Sequence, residues 1–130
     1  MYSFSSIHPI GESDPTAMPV RDSESAARYY TDRLDFTIRR RIDSPVKTVV
    51  VGRDGIEIGL VENGGNPDDA SCYIAVDDVD AAHREIEASG LQPSGLRIDE
   101  HAGSRHKVFF IKDDEGLCYC IGTRLEPHPA

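Results

Sequence analysis

The chain has 130 residues with 14 basic against 23 acidic side chains, a formal charge of −9, which repels phosphate backbones and anionic bilayers and argues against nucleic acid or a membrane as partner. Its length suits one domain with its own core, and no apolar run approaches the ~20 residues of a membrane span. The cysteine count is odd, at three, and Cys118 and Cys120 stand at i,i+2, a spacing that disfavours a disulfide. The first residues lack the basic start and apolar core of a secretory signal, so a reduced, cytoplasmic protein is expected.

Residues 1–14 are rich in Ser, Gly and Pro and read as an arm that orders only if Tyr2, Phe4 and Ile7 dock it. A short strand over 16–20 leads to a helix capped by Asp22 or Ser23 and running to about Leu34, with Ala26, Ala27, Tyr30 and Leu34 as its buried stripe. Strands follow over 36–42, 47–51 and 56–62, with Asp54-Gly55 as a hairpin turn. After a Gly, Asn, Pro and Asp loop over 63–69 come a strand over 71–76 and a helix over 79–89 that buries Val79, Ala82 and Ile86 and stops at Gly90. A weaker strand over 92–98 is interrupted by Pro93 and Gly95. The last two strands form a hairpin around Asp113-Asp114-Glu115-Gly116, before a tail over 124–130.

If residues 113 and 116 close that turn, Phe109 lies opposite Cys120 and Ile111 opposite Cys118. Lys107, Phe109, Ile111, Cys118 and Cys120 then share one face, and Val108, Phe110, Leu117, Tyr119 and Ile121 the other. Both faces are largely apolar, so one is expected to meet helices and the other to line a cleft.

The chain repeats itself. Val20-Arg-Asp-Ser-Glu-Ser-Ala-Ala-Arg28 matches Val76-Asp-Asp-Val-Asp-Ala-Ala-His-Arg84 at an offset of 56, and Gly55-Ile-Glu-Ile-Gly59 matches Gly116-Leu-Cys-Tyr-Cys120. The expected fold is α+β: one domain over 15–123 built of two paired β-α-β-β-β modules, about 15–62 and 70–123, with curved mixed sheets enclosing a cleft and helices outside.

Three segments in order carry a family resemblance: Pro19-Val-Arg-Asp-Ser-Glu-Ser-Ala-Ala-Arg-Tyr-Tyr30 with Leu34-Asp-Phe36, then Ile74-Ala-Val-Asp-Asp-Val-Asp-Ala-Ala82, then Phe110-Ile-Lys-Asp-Asp-Glu-Gly116. Over about residues 15–123 the chain resembles the vicinal oxygen chelate superfamily of glyoxalase I, the bleomycin-resistance proteins and the extradiol dioxygenases. The resemblance implies a homodimer with a small organic ligand in the cleft. Metal-dependent members place His, Gln or Glu at positions that fall here on Pro15, Gly59, Ser71 and Cys120, none of which suits a hard divalent ion, so no metal and no cofactor are expected.

The candidate ligand-binding residues are Arg39, Arg41, Glu57, Ser71, Tyr73, Phe109, Ile111, Cys118 and Cys120. Arg39 and Arg41, in the one basic cluster of an acidic chain, suit a carboxylate or phosphate, and suit better an edge strand that uses charge against aggregation. Glu57, inside a strand on the cleft face, is the candidate general base if burial raises its pKa, and an ordinary exposed carboxylate if the face is wet. Cys118 and Cys120 read as small buried hydrophobes or as soft ligands. His8, His83, His101, His106 and His128 have no ligand spacing and read as surface residues. The Asp113–Gly116 cluster lacks the remaining ligands of a calcium loop and reads as a turn. Two functions follow: a metal-free small-molecule-binding protein, or a metal-dependent lyase, isomerase or dioxygenase using unusual ligands from Glu57, Cys118, Cys120 and a loop histidine.

Overall fold

A computed structural model of the chain describes residues 2–101 and 103–125; the end of the tail, with His128, lies outside the described residues. The elements are β1 (Phe4–Pro9), β2 (Met18–Pro19), α1 (Ser23–Arg33), β3 (Thr37–Ile42), β4 (Thr48–Arg53), β5 (Ile56–Val61), β6 (Ser71–Val76), α2 (Val79–Ala88), β7 (Arg97–His101), β8 (Ser104–Lys112) and β9 (Cys118–Arg124). They form two curved, unclosed mixed sheets, ordered β1-β6-β9-β8-β7 and β2-β5-β4-β3. Each repeat supplies one parallel pair, β2 with β5 and β6 with β9.

Both helices begin where an aspartate stops the preceding strand. Asp22 accepts from the Ser25 amide and Asp78 from the Ala81 amide, so the same cap recurs at the offset of 56. Tyr30 of α1 and Ile86 of α2 occupy the matching buried positions, at 0% and 1% exposure. The two helix ends also meet: Arg33 donates to the Ser89 carbonyl at 2.6 Å, placing a cation on the orphan carbonyls that close α2.

The helix-bearing faces of both sheets share one core. Val49, Val51, Ile58 and Leu60 of the smaller sheet pack in the same cluster as Cys72, Ile74, Phe109, Ile111, Tyr119 and Ile121 of the larger. Alternation along each strand then sends Val50, Glu57, Tyr73, Val108 and Cys120 to the opposite, open faces.

Two sequence expectations change. The final hairpin pairs Phe110 with Cys120 and Lys112 with Cys118, one residue out of the expected register. The Asp113 amide bonds the Leu117 carbonyl, and the Asp113 carboxylate gathers the amides of Glu115, Gly116 and Leu117, with Gly116 at φ +109°; the loop therefore holds one residue more than a four-residue turn. A one-residue slip exchanges the faces, which takes Phe109 and Ile111 into the core beside Tyr119 and Ile121. The weak strand starts at Arg97 instead of 92, because Pro93 and Gly95 cannot sustain a ladder; Ser94 still ties that segment to Phe110 by two hydrogen bonds. The N-terminal arm is itself an edge strand, paired antiparallel with β6 and held by buried Tyr2 and Phe4.

Candidate functional site

Register determines what meets on the open face of the five-stranded sheet. One cross-strand row reads His8, Tyr73, Cys120 and Phe110; the next reads Ala75, Gly122, Val108 and Arg97. Gly122 is required there, since a Cβ would lie 2.6 Å from a Val108 methyl and 2.8 Å from the Lys107 carbonyl. Asp99 stands opposite His106. The result is a hollow of about 540 Å³ lined by Pro9, Ile10 and Gly11 from the arm and by Tyr73, Asp99, His106, Val108 and Cys120 from the sheet.

Its chemistry is aromatic and mostly uncharged. The Tyr73 ring lies edge-to-face with His106 at 5.7 Å and tilted against His8 at 6.2 Å. Burial raises the Tyr73 phenol and the Cys118 thiol and pushes the Cys120 thiol up to about 11, so these groups are neutral near pH 7. Asp99 is bridged at 3.1 Å by Arg97, whose guanidinium also lies 4.8 Å from the Phe110 ring centroid.

A second hollow, of about 370 Å³, lies on the open face of the four-stranded sheet between Thr16, Arg40, Ile42, Pro45, Val46, Thr48, Val50, Glu57, Gly59 and Val61. A bulge between Ile38 and Arg40 breaks the alternation expected for the arginines. Arg40 therefore joins Arg39 on the Glu57 carboxylate, at 3.1 and 3.2 Å. Arg41 turns to the helix side, where it grips Glu24 at 2.8 Å. The hydrogen bonds from Arg40 and Arg39 hold the Glu57 carboxyl below the ordinary carboxylate range, opposite to what a general base requires.

The structure therefore divides the residues chosen from sequence. Tyr73, Cys118, Cys120 and Ser71 lie on the open face of the larger sheet, and Glu57 on that of the smaller. Arg39 and Arg41 are engaged with acidic neighbours, and Phe109 and Ile111 pack in the core. The two hollows share no lining residue. His106, read from sequence as a surface residue, lines the hollow, and Asp99, Val108 and the arm residues Pro9, Ile10 and Gly11 were not singled out; the correct hairpin register would have revealed Val108, but nothing local marks the arm as a wall of the hollow.

The positions where the family's metal ligands would fall do not fit a divalent ion. The Gly59 amide donates to the Pro15 carbonyl at 2.9 Å, and a Cβ at Gly59 would run into the Thr16 carbonyl oxygen, so this backbone leaves no room for a ligand side chain. Among the described residues, no three His, Cys, Asp or Glu side chains group as ligands.

The model of the Glyoxalase/Bleomycin resistance protein/Dioxygenase superfamily matches residues 12–119. Among solved structures, the bleomycin resistance determinant encoded on the transposon Tn5 superposes with a TM-score of 0.68 at 19% identity, covering 87% of this chain and 98% of that one. TnmS3, an antibiotic binding protein from Streptomyces sp. CB03234, gives 0.67 at 20% identity over 89% and 98%. A glyoxalase family protein from Enterococcus faecalis gives 0.62 at 13% over 85% and 97%. At these identities the likeness is one of fold. No curated protein matches the chain in sequence.

Proposed function

Because the chain belongs to the Glyoxalase/Bleomycin resistance protein/Dioxygenase superfamily, we propose that it is a small-molecule-binding protein that acts without a metal, holding a partly apolar, ring-containing ligand in the hollow on its five-stranded sheet. The observation that carries this reading is the hollow itself: about 540 Å³ walled by Tyr73, Val108, Ile10 and Pro9, with Asp99 and His106 at one side. That is the size and the mostly apolar lining with few polar groups expected of a small-molecule site. Two similar folds belong to proteins described as an antibiotic binding protein and a bleomycin resistance determinant, which points to antibiotic-like molecules as first candidates.

A ring stacks on Tyr73 in this reading, beside the His106 ring that already lies edge-to-face with it. Arg39 and Arg41 are left out, since their charges are already spent on Glu57 and Glu24. A second copy of the chain completes the arrangement by covering Ile10 and Ile42, one on the rim of each hollow and 43% and 40% exposed.

The test is a thermal-shift screen of bleomycin, planar polycyclic antibiotics and aromatic acids, with and without EDTA. Stabilisation that survives EDTA, disappears in Tyr73→Ala and persists in Arg39→Ala and Arg41→Ala is the expected result. Stabilisation abolished by EDTA, or glyoxalase or dioxygenase turnover on adding Zn, Ni, Mn or Fe, would favour the metal-dependent enzyme instead.

A further inference from the structure

The N-terminal arm does two things at its two ends. Its far end, Pro9, Ile10 and Gly11, walls the ligand hollow with side chains that are exposed. Its near end is buried, with Tyr2 and Phe4 at 5% and 3% exposure. Between them β1 is an edge strand, paired with β6 alone and interrupted by a register shift between Phe4 and Ser6. Its apolar burial is concentrated at Phe4, with Ile7 half-buried, and beyond Pro9 it is tied to Ser71 by the Ile10 amide at 3.2 Å and by the Ser13 hydroxyl, which accepts from the Ser71 amide at 2.9 Å; an edge strand held this way opens at lower local free energy than a central one.

The near end is fastened by the other repeat. The Arg53 guanidinium lies 4.2 Å from the Tyr2 ring centroid and 4.8 Å from that of Phe4. The same group donates to the Tyr2 carbonyl at 2.8 Å, to the Tyr2 hydroxyl at 2.9 Å and to the Leu34 carbonyl closing α1 at 2.9 Å. Asp54 accepts from the Phe4 amide at 2.8 Å and pairs with Arg53 at 3.3 Å. Ser3 adds bonds to Asp77 through both its amide and its carbonyl. Arg53 is thus a largely buried cation, its side chain 13% exposed, with ring faces and acceptors around it.

We infer that Arg53 is a positioning residue for the ligand site: by clamping Tyr2 and Phe4 to the smaller sheet it keeps the arm on β6 and so holds Pro9, Ile10 and Gly11 against the hollow on the larger sheet. The inference rests on the hollow being the ligand site, yet the position of the wall can be measured without any ligand. Cys120 lines the same hollow and is 8% exposed. Global opening is reported instead by the amides of the β8–β9 hairpin, which is not paired with the arm. Releasing the arm exposes the Cys120 thiol, whose raised pKa comes first from burial, so exposure and ionisation both speed its reaction.

The experiment is iodoacetamide alkylation at one fixed pH, followed residue by residue by peptide mass spectrometry, in wild type, Arg53→Gln and Tyr2→Ala. Amide exchange across β1 is measured in parallel. In either variant, Cys120 should alkylate about tenfold faster and β1 amides should exchange faster, while the β8–β9 amides stay protected. If Arg53→Gln fails to fold, Tyr2→Ala decides, because it removes the ring and leaves Arg53 its bond to Leu34. An unchanged Cys120 rate, or β8–β9 amides that exchange faster in step with Cys120, overturns the inference. A screen in which no compound stabilises the wild type defeats the binding proposal and leaves the alkylation result standing on its own.

Discussion

Tyr30 of α1 and Tyr119 of β9 bring their hydroxyls to 2.6 Å inside the core, and Tyr30 also donates to the Asp113 carboxylate at 2.7 Å. The three residues come from a helix of the first repeat and a strand and loop of the second, so one buried polar chain joins the repeats. Both tyrosines are essentially unexposed, and their phenols are pushed well above the usual range, first by burial. Each proton therefore stays in place as a hydrogen-bond donor.

Removing the central hydroxyl takes a hydrogen bond from two partners. Tyr30→Phe strips the Asp113 carboxylate and the Tyr119 hydroxyl of a bond each, and should cost about 2–4 kcal/mol by denaturant unfolding. Tyr119→Phe leaves the bond from Tyr30 to Asp113 intact and should cost less. Equal losses in the two variants would place the weight of the network elsewhere.

Asp113 gives the network a pH dependence of definite sign. Burial raises its pKa above the ordinary carboxylate value, ahead of the hydrogen bonds that lower it. The folded state therefore holds this proton more tightly than the unfolded chain. The resulting stability is fully present below the unfolded pKa of ~3.9 and is lost as pH rises through the folded value. Relative to Asp113→Asn, the wild type should lose stability as pH climbs through that window and hold a constant difference above it. Glu24, Glu57 and Glu62, whose pKa values are lowered by their partners, act in the opposite direction, but they are common to both proteins and cancel in the comparison. A difference that does not change with pH would show Asp113 titrating as it does in the unfolded chain.

Ile86 tests the repeat. It fills in α2 the position that Tyr30 fills in α1, and it is fully enclosed. Ile86→Ala should cost about 2–5 kcal/mol, with little collapse of the surrounding core. A loss under about 1 kcal/mol would mean that the site is not packed as described.

Gly59 tests whether a metal centre can be restored at the family's position. Gly59→Glu supplies the missing carboxylate, but its Cβ meets the Thr16 backbone. We expect Gly59→Ala and Gly59→Glu both to lower the unfolding midpoint, with no Zn or Mn uptake by Gly59→Glu in elemental analysis. Stoichiometric uptake by a stable Gly59→Glu protein would contradict the close packing of Pro15 and Thr16 on Gly59.

Association is tested by sedimentation. A homodimer joined through the open faces should sediment at twice the 14.3 kDa chain mass, and Ile10→Asp with Ile42→Asp should return it to the monomer. A single-chain mass at high protein concentration would reject the dimer.

Local sequence signals were enough for the repeat, the two helices with their aspartate caps, and nearly every strand, because capping and alternation act over a few residues. Asp22 and Asp78 mark helix starts wherever the helices finally pack, and Val49, Val51, Ile58 and Leu60 belong to a core face by period alone. The site needed information that no local pattern contains. A single extra loop residue, admitted by the Asp113 carboxylate and the positive φ of Gly116, exchanged the faces of Phe109 and Val108. A bulge in β3 sent Arg40 to Glu57 and Arg41 to Glu24, and the arm became a wall of the hollow only by pairing with β6, more than 60 residues away in the chain. Side-chain chemistry along the chain is written locally, whereas which side chains share a surface depends on strand register and long-range pairing, and these are settled only when the two repeats close on one core.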